Sequence, residues 1–203
     1  MKHLAGTNPS KSPVVALYVE TGGVYFGLVG VDPWDEARDA RRYDGPYPVV
    51  AHPPCARWSI MGLCRPEYEC GADGGCFEAA LTAVRRFGGV LEHPKHTLAW
   101  KRYGLPRPAA AGWTRSLFDP GWTCEVDQRR YGHRVRKPTW LYWVGQGEPP
   151  QLDWGRGEQN ELSRRGGRKR RGDGLLHADS IHSTRSRTPV PFRDLLIDLA
   201  RCA

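Results

Sequence analysis

A cysteine directly after two prolines, at the end of a short apolar run, is the clearest chemical signal in the chain. The run is Pro48-Val49-Val50-Ala51-His52-Pro53-Pro54-Cys55-Ala56-Arg57-Trp58-Ser59. It reads as a strand that delivers a thiol to its C-terminal end, where open α/β sheets bind ligands. A helix starting just beyond Cys55, with Arg57 nearby, would favour the thiolate and make it a nucleophile. A second apolar run, Val90-Leu91, delivers Glu92-His93-Pro94 in the same way. A carboxyl group near a thiol suits covalent catalysis with proton transfer. Each has a plainer reading: a thiol held after a proline turn, and a carboxylate that caps a helix or forms a salt bridge.

The elements that must position these groups follow from hydrophobic spacing. Val14 to Val19 and Pro48 to Ala51 read as buried strands. Trp122 to Val126 and Thr139 to Val144 are rich in β-formers. Trp34 to Tyr43 has helical spacing through Ala37 and Ala40. Phe77 to Phe87 is an amphipathic helix with Phe77, Ala80, Leu81 and Val84 facing inward, ended by Gly88-Gly89. His96 to Tyr103 reads as a further helix, before a Pro/Ala/Gly-rich loop that runs through Gly112. Phe192 to Ala200 closes the chain with Phe192, Leu195, Leu196 and Leu199 on one stripe. Strands that alternate with helices predict an α/β fold with three layers. Residues 1–12 read as a flexible arm, and 13–203 as one domain.

The chain has 203 residues, a formal net charge of +8, 39% hydrophobic and 10% aromatic content. That balance predicts a folded globule with a polyanionic partner, DNA or another nucleic acid. The Gly-rich insertion 146–185 concentrates the charge in Arg164, Arg165, Arg168, Lys169, Arg170 and Arg171. It reads as a phosphate-gripping loop, the alternative being a solvated basic surface. No apolar run is long enough to span a bilayer, and the N-terminus lacks a secretory signal. A cytoplasmic protein is the expectation. Of the six cysteines, Cys64, Cys70 and Cys76 are evenly spaced beside Cys55. They lack the tight pairs of common zinc modules, and a zinc protein stands as an alternative reading. His52, His93 and His133 are candidate acid–base groups or structural hydrogen-bonders. Trp58 is a candidate for stacking on a base or for the core.

Taken in order, these segments resemble the cytosine-C5 DNA methyltransferase family. Tyr18-Val19-Glu20-Thr21-Gly22-Gly23, with Phe26-Gly27-Leu28, is similar to the family's donor-binding turn, with Glu20 where the family has glycine. Val31-Asp32-Pro33 resembles the acidic ribose-binding segment, although Asp32 reads equally as a helix cap. Pro53-Pro54-Cys55 with Ser59 matches the catalytic loop. Leu91-Glu92-His93-Pro94 resembles the Glu-Asn-Val motif, with His93 replacing asparagine. Tyr131-Gly132 with Arg134 and Arg136 is similar to the family's arginine-bearing segment, and Arg187-Thr188-Pro189-Val190-Pro191-Phe192 to its last motif.

The resemblance implies a Rossmann-like three-layer sandwich of the class I methyltransferase kind, in a compact bacteriophage-type DNA modification enzyme working in the host cytoplasm. It implies Cys55, Glu92, Arg134 and Arg136 as catalytic residues. Tyr18, Gly22, Gly23, Asp32 and Pro53 would bind S-adenosylmethionine or a related donor. Ser59 would join the basic insertion in binding nucleic acid. The degraded donor turn keeps another reading open: a non-catalytic nucleic-acid-binding or inhibitory protein on a decayed enzyme fold, using no cofactor.

Overall fold

The computed structural model describes residues 12–65, 67–158 and 187–203. Residues 1–11 of the expected arm and the basic run 164–171 lie outside the described residues. The fold is mixed α/β around one seven-stranded sheet, in the order β2-β1-β3-β4-β7-β6-β5. The strands are β1 (Val14–Leu17), β2 (Val31–Trp34), β3 (Val49–Ala51), β4 (Gly89–Pro94), β5 (Thr114–Arg115), β6 (Trp122–Asp127) and β7 (Pro138–Val144). The first four are mutually parallel. β7 runs antiparallel to both β4 and β6, and β5 antiparallel to β6.

Strands β1 and β3 are apolar at every position because both their faces are covered. Val15, Leu17, Val49, Ala51, Leu91, Trp140 and Tyr142 point to one face, against helix α1 (Cys76–Phe87) and the short helix α2 (Leu98–Arg102). Val14, Ala16, Val50, Val90, Leu141 and Trp143 point to the other, against helix α3 (Val190–Arg201). The expected strands and the α1 and α3 helices are present with small shifts of boundary. Among the described residues no helix is long and apolar enough to cross a membrane.

One expected element is corrected. Residues 34–43 do not form a helix. Trp34 ends β2, and two short 3₁₀ turns follow at Glu36–Arg38 and Ala40–Arg42. Asp39 interrupts them in the left-handed region, at φ 48°, and its carboxylate accepts from the Arg41 N–H. Such local side-chain bonds compete with helix continuation. Pro33 sits in β2, which is tolerated because β2 is an edge strand. β5 lies close behind the loop expected to run through Gly112, and its two residues are too few to show a strand period.

The β3–β4 register carries the site, since Ala51 pairs with Leu91 and the next residues out are His52 and Glu92. Gly89 permits this approach. Its φ is +115°, and a Cβ there would lie 2.0 Å from the Val49 carbonyl oxygen. Gly89→Ala is therefore expected to cost at least about 3 kcal/mol of stability. Urea denaturation checks this; an unchanged midpoint would refute the packing.

Candidate active site

Order in the sheet reverses between β1 and its two parallel neighbours, β2 and β3. Such a switch point opens a crevice at the C-terminal strand ends. A cleft of about 1280 Å³ lies there. It is lined by residues 18–25 after β1, His52 to Cys55 after β3, Glu92 to Pro94 on β4, Arg136 to Pro138 before β7, and Arg187 with Thr188 before α3.

The turn after β1 begins at Tyr18, whose φ of 59° is unusual for an aromatic residue. Strained backbone of this kind concentrates at functional sites. The Tyr18 hydroxyl is buried without a hydrogen-bond partner. Gly22 lines the same cleft at φ 68°, with no heavy atom within 4 Å of where a Cβ would stand. A donor-sized ligand has room against this backbone. Asp32 does not line the cleft; its carboxylate pairs with Arg38 and accepts from the Trp34 indole. Asp35, just beyond β2, accepts from the Thr21 hydroxyl at 2.8 Å and likewise does not line the cleft.

Cys55 is exposed to the cleft, at φ −95° and ψ −8°. This sparsely populated region often holds active-site residues. The expectation of an activated thiolate is corrected. Desolvation raises the thiol pKa, Glu92 raises it further, and Lys137 only partly opposes them. The 3₁₀ turn Ala56–Trp58 is too short to supply a helix dipole. Removing the carboxylate should therefore lower the pKa. Glu92→Gln is expected to shift the pH profile of Cys55 alkylation toward lower pH. Peptide-resolved mass spectrometry reads this out, and an unmoved profile would sever the two groups.

Glu92 is the hub of a buried hydrogen-bond chain. One carboxylate oxygen pairs with His52 Nδ1 at 3.0 Å, and the other accepts from the Gln128 side-chain amide at 3.1 Å. That amide also reaches the Thr139 hydroxyl at 2.9 Å. On the far side of the imidazole, His52 Nε2 meets the Tyr25 hydroxyl at 2.8 Å. Burial would push the Glu92 carboxyl up, but the His52 hydrogen bond and the charges of Lys137 and His52 outweigh it and hold it at about 2. The site thus places a fixed anion next to a protonated thiol.

The connection between β6 and β7 brings the positive charge. Asp127 ties it down, accepting from the backbone N–H groups of Arg129, Lys137 and Gly157 and from Arg136 Nε. Arg136 and Lys137 line the cleft as a result, whereas Arg134 lies outside it. Lys137 and Gln128 were missed in the sequence, where only arginines were weighed in this segment. Ser59 is also away from the cleft, capping the turn Ile60–Cys64.

His93 is buried and bonded through Nδ1 to the Thr97 hydroxyl at 2.7 Å. Burial drops its pKa to about 4, so it is neutral at pH 7. Trp58 is in the core, its indole N–H donating to Asp73. His133 is buried and outside the cleft. Cys64, Cys70 and Cys76 are free thiols. Among the described residues no group of three His, Cys, Asp or Glu could hold a metal ion.

No family model matches the chain, and neither does any curated protein.

Proposed function

We propose that the protein modifies pyrimidine bases of DNA at C5, with Cys55 as the nucleophile and the fold of a compact class I methyltransferase related to the cytosine-C5 enzymes. The observation that carries this reading is the convergence of Cys55, Glu92 and the Tyr18–Gly23 turn on one cleft at the sheet's switch point. These segments are far apart in sequence, and the resemblance had assigned them to one site. The parallel β2-β1-β3-β4 half and the helices on both faces support the Rossmann-like part of the reading.

Pyrimidine C5 is a weak nucleophile until a thiolate adds at C6. The Cys55 sulfur would form that bond, and the C5=C6 electron pair would shift through C4 toward N3. Glu92 would meet the N3 edge. Lys137, facing both Cys55 and Glu92, would favour the thiolate as it forms. Arg136 would offer positive charge to the base or to a phosphate. A base in duplex DNA must be turned out of the stack to reach Cys55. The net charge of +8 supports a nucleic acid partner.

Tyr18, Gly22, Gly23 and Pro53 would hold S-adenosylmethionine or a related donor, consistent with their place in the cleft lining and the open backbone at Gly22. The donor would supply an electrophilic carbon for C5.

Nucleoside mass spectrometry of DNA from cells with and without the protein tests the function. The expected result is a new C5-modified pyrimidine nucleoside. Identical base composition in the two samples would count against the proposal.

A further inference from the structure

We propose that His93 is a positioning residue for Cys55: its Nε2–H holds the Pro53-Pro54 backbone, and through it the thiol, at the edge of the cleft. The role given to Cys55 rests on the pyrimidine reading above.

The two prolines create the need. Neither has an N–H, so the turn that carries Cys55 lacks a backbone donor at two successive positions. On one side the His52 N–H donates to the Leu17 carbonyl at 3.1 Å, and on the other the Trp58 N–H donates to the Cys55 carbonyl at 3.0 Å. At the prolines the chain can be tied only through its carbonyls. The β3–β4 register sets Ala51 against Leu91, and two residues further on Pro53 and His93 both line the cleft.

The state of the imidazole follows from its neighbours. His93 is buried, with its ring edge-on to Phe77 at 5.1 Å and stacked on Trp100 at 6.4 Å, so its two nitrogens are fixed in place. Burial outweighs the charges of Glu92 and Asp73 and keeps the ring neutral, with a single N–H. The Thr97 hydroxyl lies 2.7 Å from Nδ1 and accepts from the Ala99 N–H at 3.2 Å. Its own hydrogen is then free to go to Nδ1, and the imidazole hydrogen sits on Nε2. The opposite tautomer would deprive the hydroxyl hydrogen of this acceptor and turn a bare Nε2 toward backbone carbonyls.

Nε2 is buried and has no partner in full hydrogen-bond geometry. The backbone acceptors that act on the ring are the carbonyls of Pro54 and Pro53. A buried N–H left unpaired is costly, so a small shift of the turn onto Nε2 is favoured. The same bond fixes where the next residue, Cys55, stands.

The test uses the full chain. Nitrogen-15 NMR of the wild type, with His93 assigned through its contacts with Phe77 and Trp100, reads the tautomer. Nε2–H is expected, and hydrogen on Nδ1 would overturn the proposal. Two variants then separate the two nitrogens. Glutamine can place its amide near the position of Nε2, whereas asparagine reaches only that of Nδ1. His93→Asn is expected to free the turn, wet the thiol and speed Cys55 alkylation about 10-fold at pH 7, because desolvation is the main cause of the raised thiol pKa. His93→Gln should stay close to the wild type. Buried Cys124 should remain unmodified in both, which marks the change as local. Equal rates in the two variants, or Cys124 reacting along with Cys55 in His93→Asn, would reduce His93 to a packing role and overturn the proposal. The modified nucleoside should follow the same order, kept in His93→Gln and lost in His93→Asn; equal loss in both would likewise overturn it. If the wild type modifies no base, the pyrimidine reading fails, while the tautomer and the alkylation rates still decide whether His93 holds the turn.

Discussion

Cys55→Ala is expected to abolish base modification, with a rate loss of about 10⁴-fold or more, as removal of a covalent nucleophile typically produces. The fold should survive, because Cys55 is exposed at the cleft and takes no part in the core. Urea unfolding of the variant should match the wild type, and the modified nucleoside should disappear from cellular DNA. This result separates an enzyme from a nucleic-acid-binding protein on a decayed enzyme fold. A Cys55→Ala protein that keeps full biological activity would favour the binding protein.

Stability should fall steeply in acid, in two overlapping stages. His93 is the first. Its pKa is about 4 in the folded protein and 6.5 when free, so the unfolded chain gains a proton before the folded one does. Its contribution is intact above pH 6.5 and is lost as pH falls toward 4. Glu92 is the second, with a folded pKa of about 2 against an ordinary 4.5. The depressed carboxyl adds stability above pH 4.5, and this is lost as pH falls toward 2. Each shift corresponds to a loss on the order of 3 kcal/mol, a large share of a typical domain's stability. Urea denaturation at stepped pH measures both. His93→Asn, which can keep a bond to Thr97, should flatten the decline between pH 6.5 and 4. A wild-type midpoint that stays level from pH 7 to pH 4 would refute the buried, neutral state of His93.

The sequence shows the parallel core plainly, because strands buried on both faces leave unbroken apolar runs such as Val14 to Leu17. The α1 helix is equally plain, since its buried positions follow helical spacing. Trp34, Ala37 and Ala40 mimic that spacing without forming a helix, and what defeats it is one left-handed residue, Asp39. The co-location of Cys55 and Glu92 follows from motif order. The surroundings of Glu92 do not. His52 lies 40 residues from it and Gln128 lies 36, and only the β3–β4 register and the Asp127-tied connection bring them together. The state of the thiol is also invisible in sequence. A helix start and a nearby arginine suggest activation, whereas desolvation and the Glu92 charge decide otherwise.

A thiol that rests protonated beside a fixed carboxylate is quiet until a substrate arrives. The cleft would then be a site where Cys55 gains nucleophilicity only once a base displaces water and engages Glu92. Covalent trapping on 5-fluoropyrimidine DNA in the presence of S-adenosylmethionine, whose methyl group at C5 makes the adduct irreversible, followed by peptide mass spectrometry, tests this claim most directly. The predicted result is a one-to-one adduct between the DNA and the peptide that contains Cys55. No adduct, or an adduct on Cys64, Cys70, Cys76 or Cys202 with Cys55 unmodified, would contradict it.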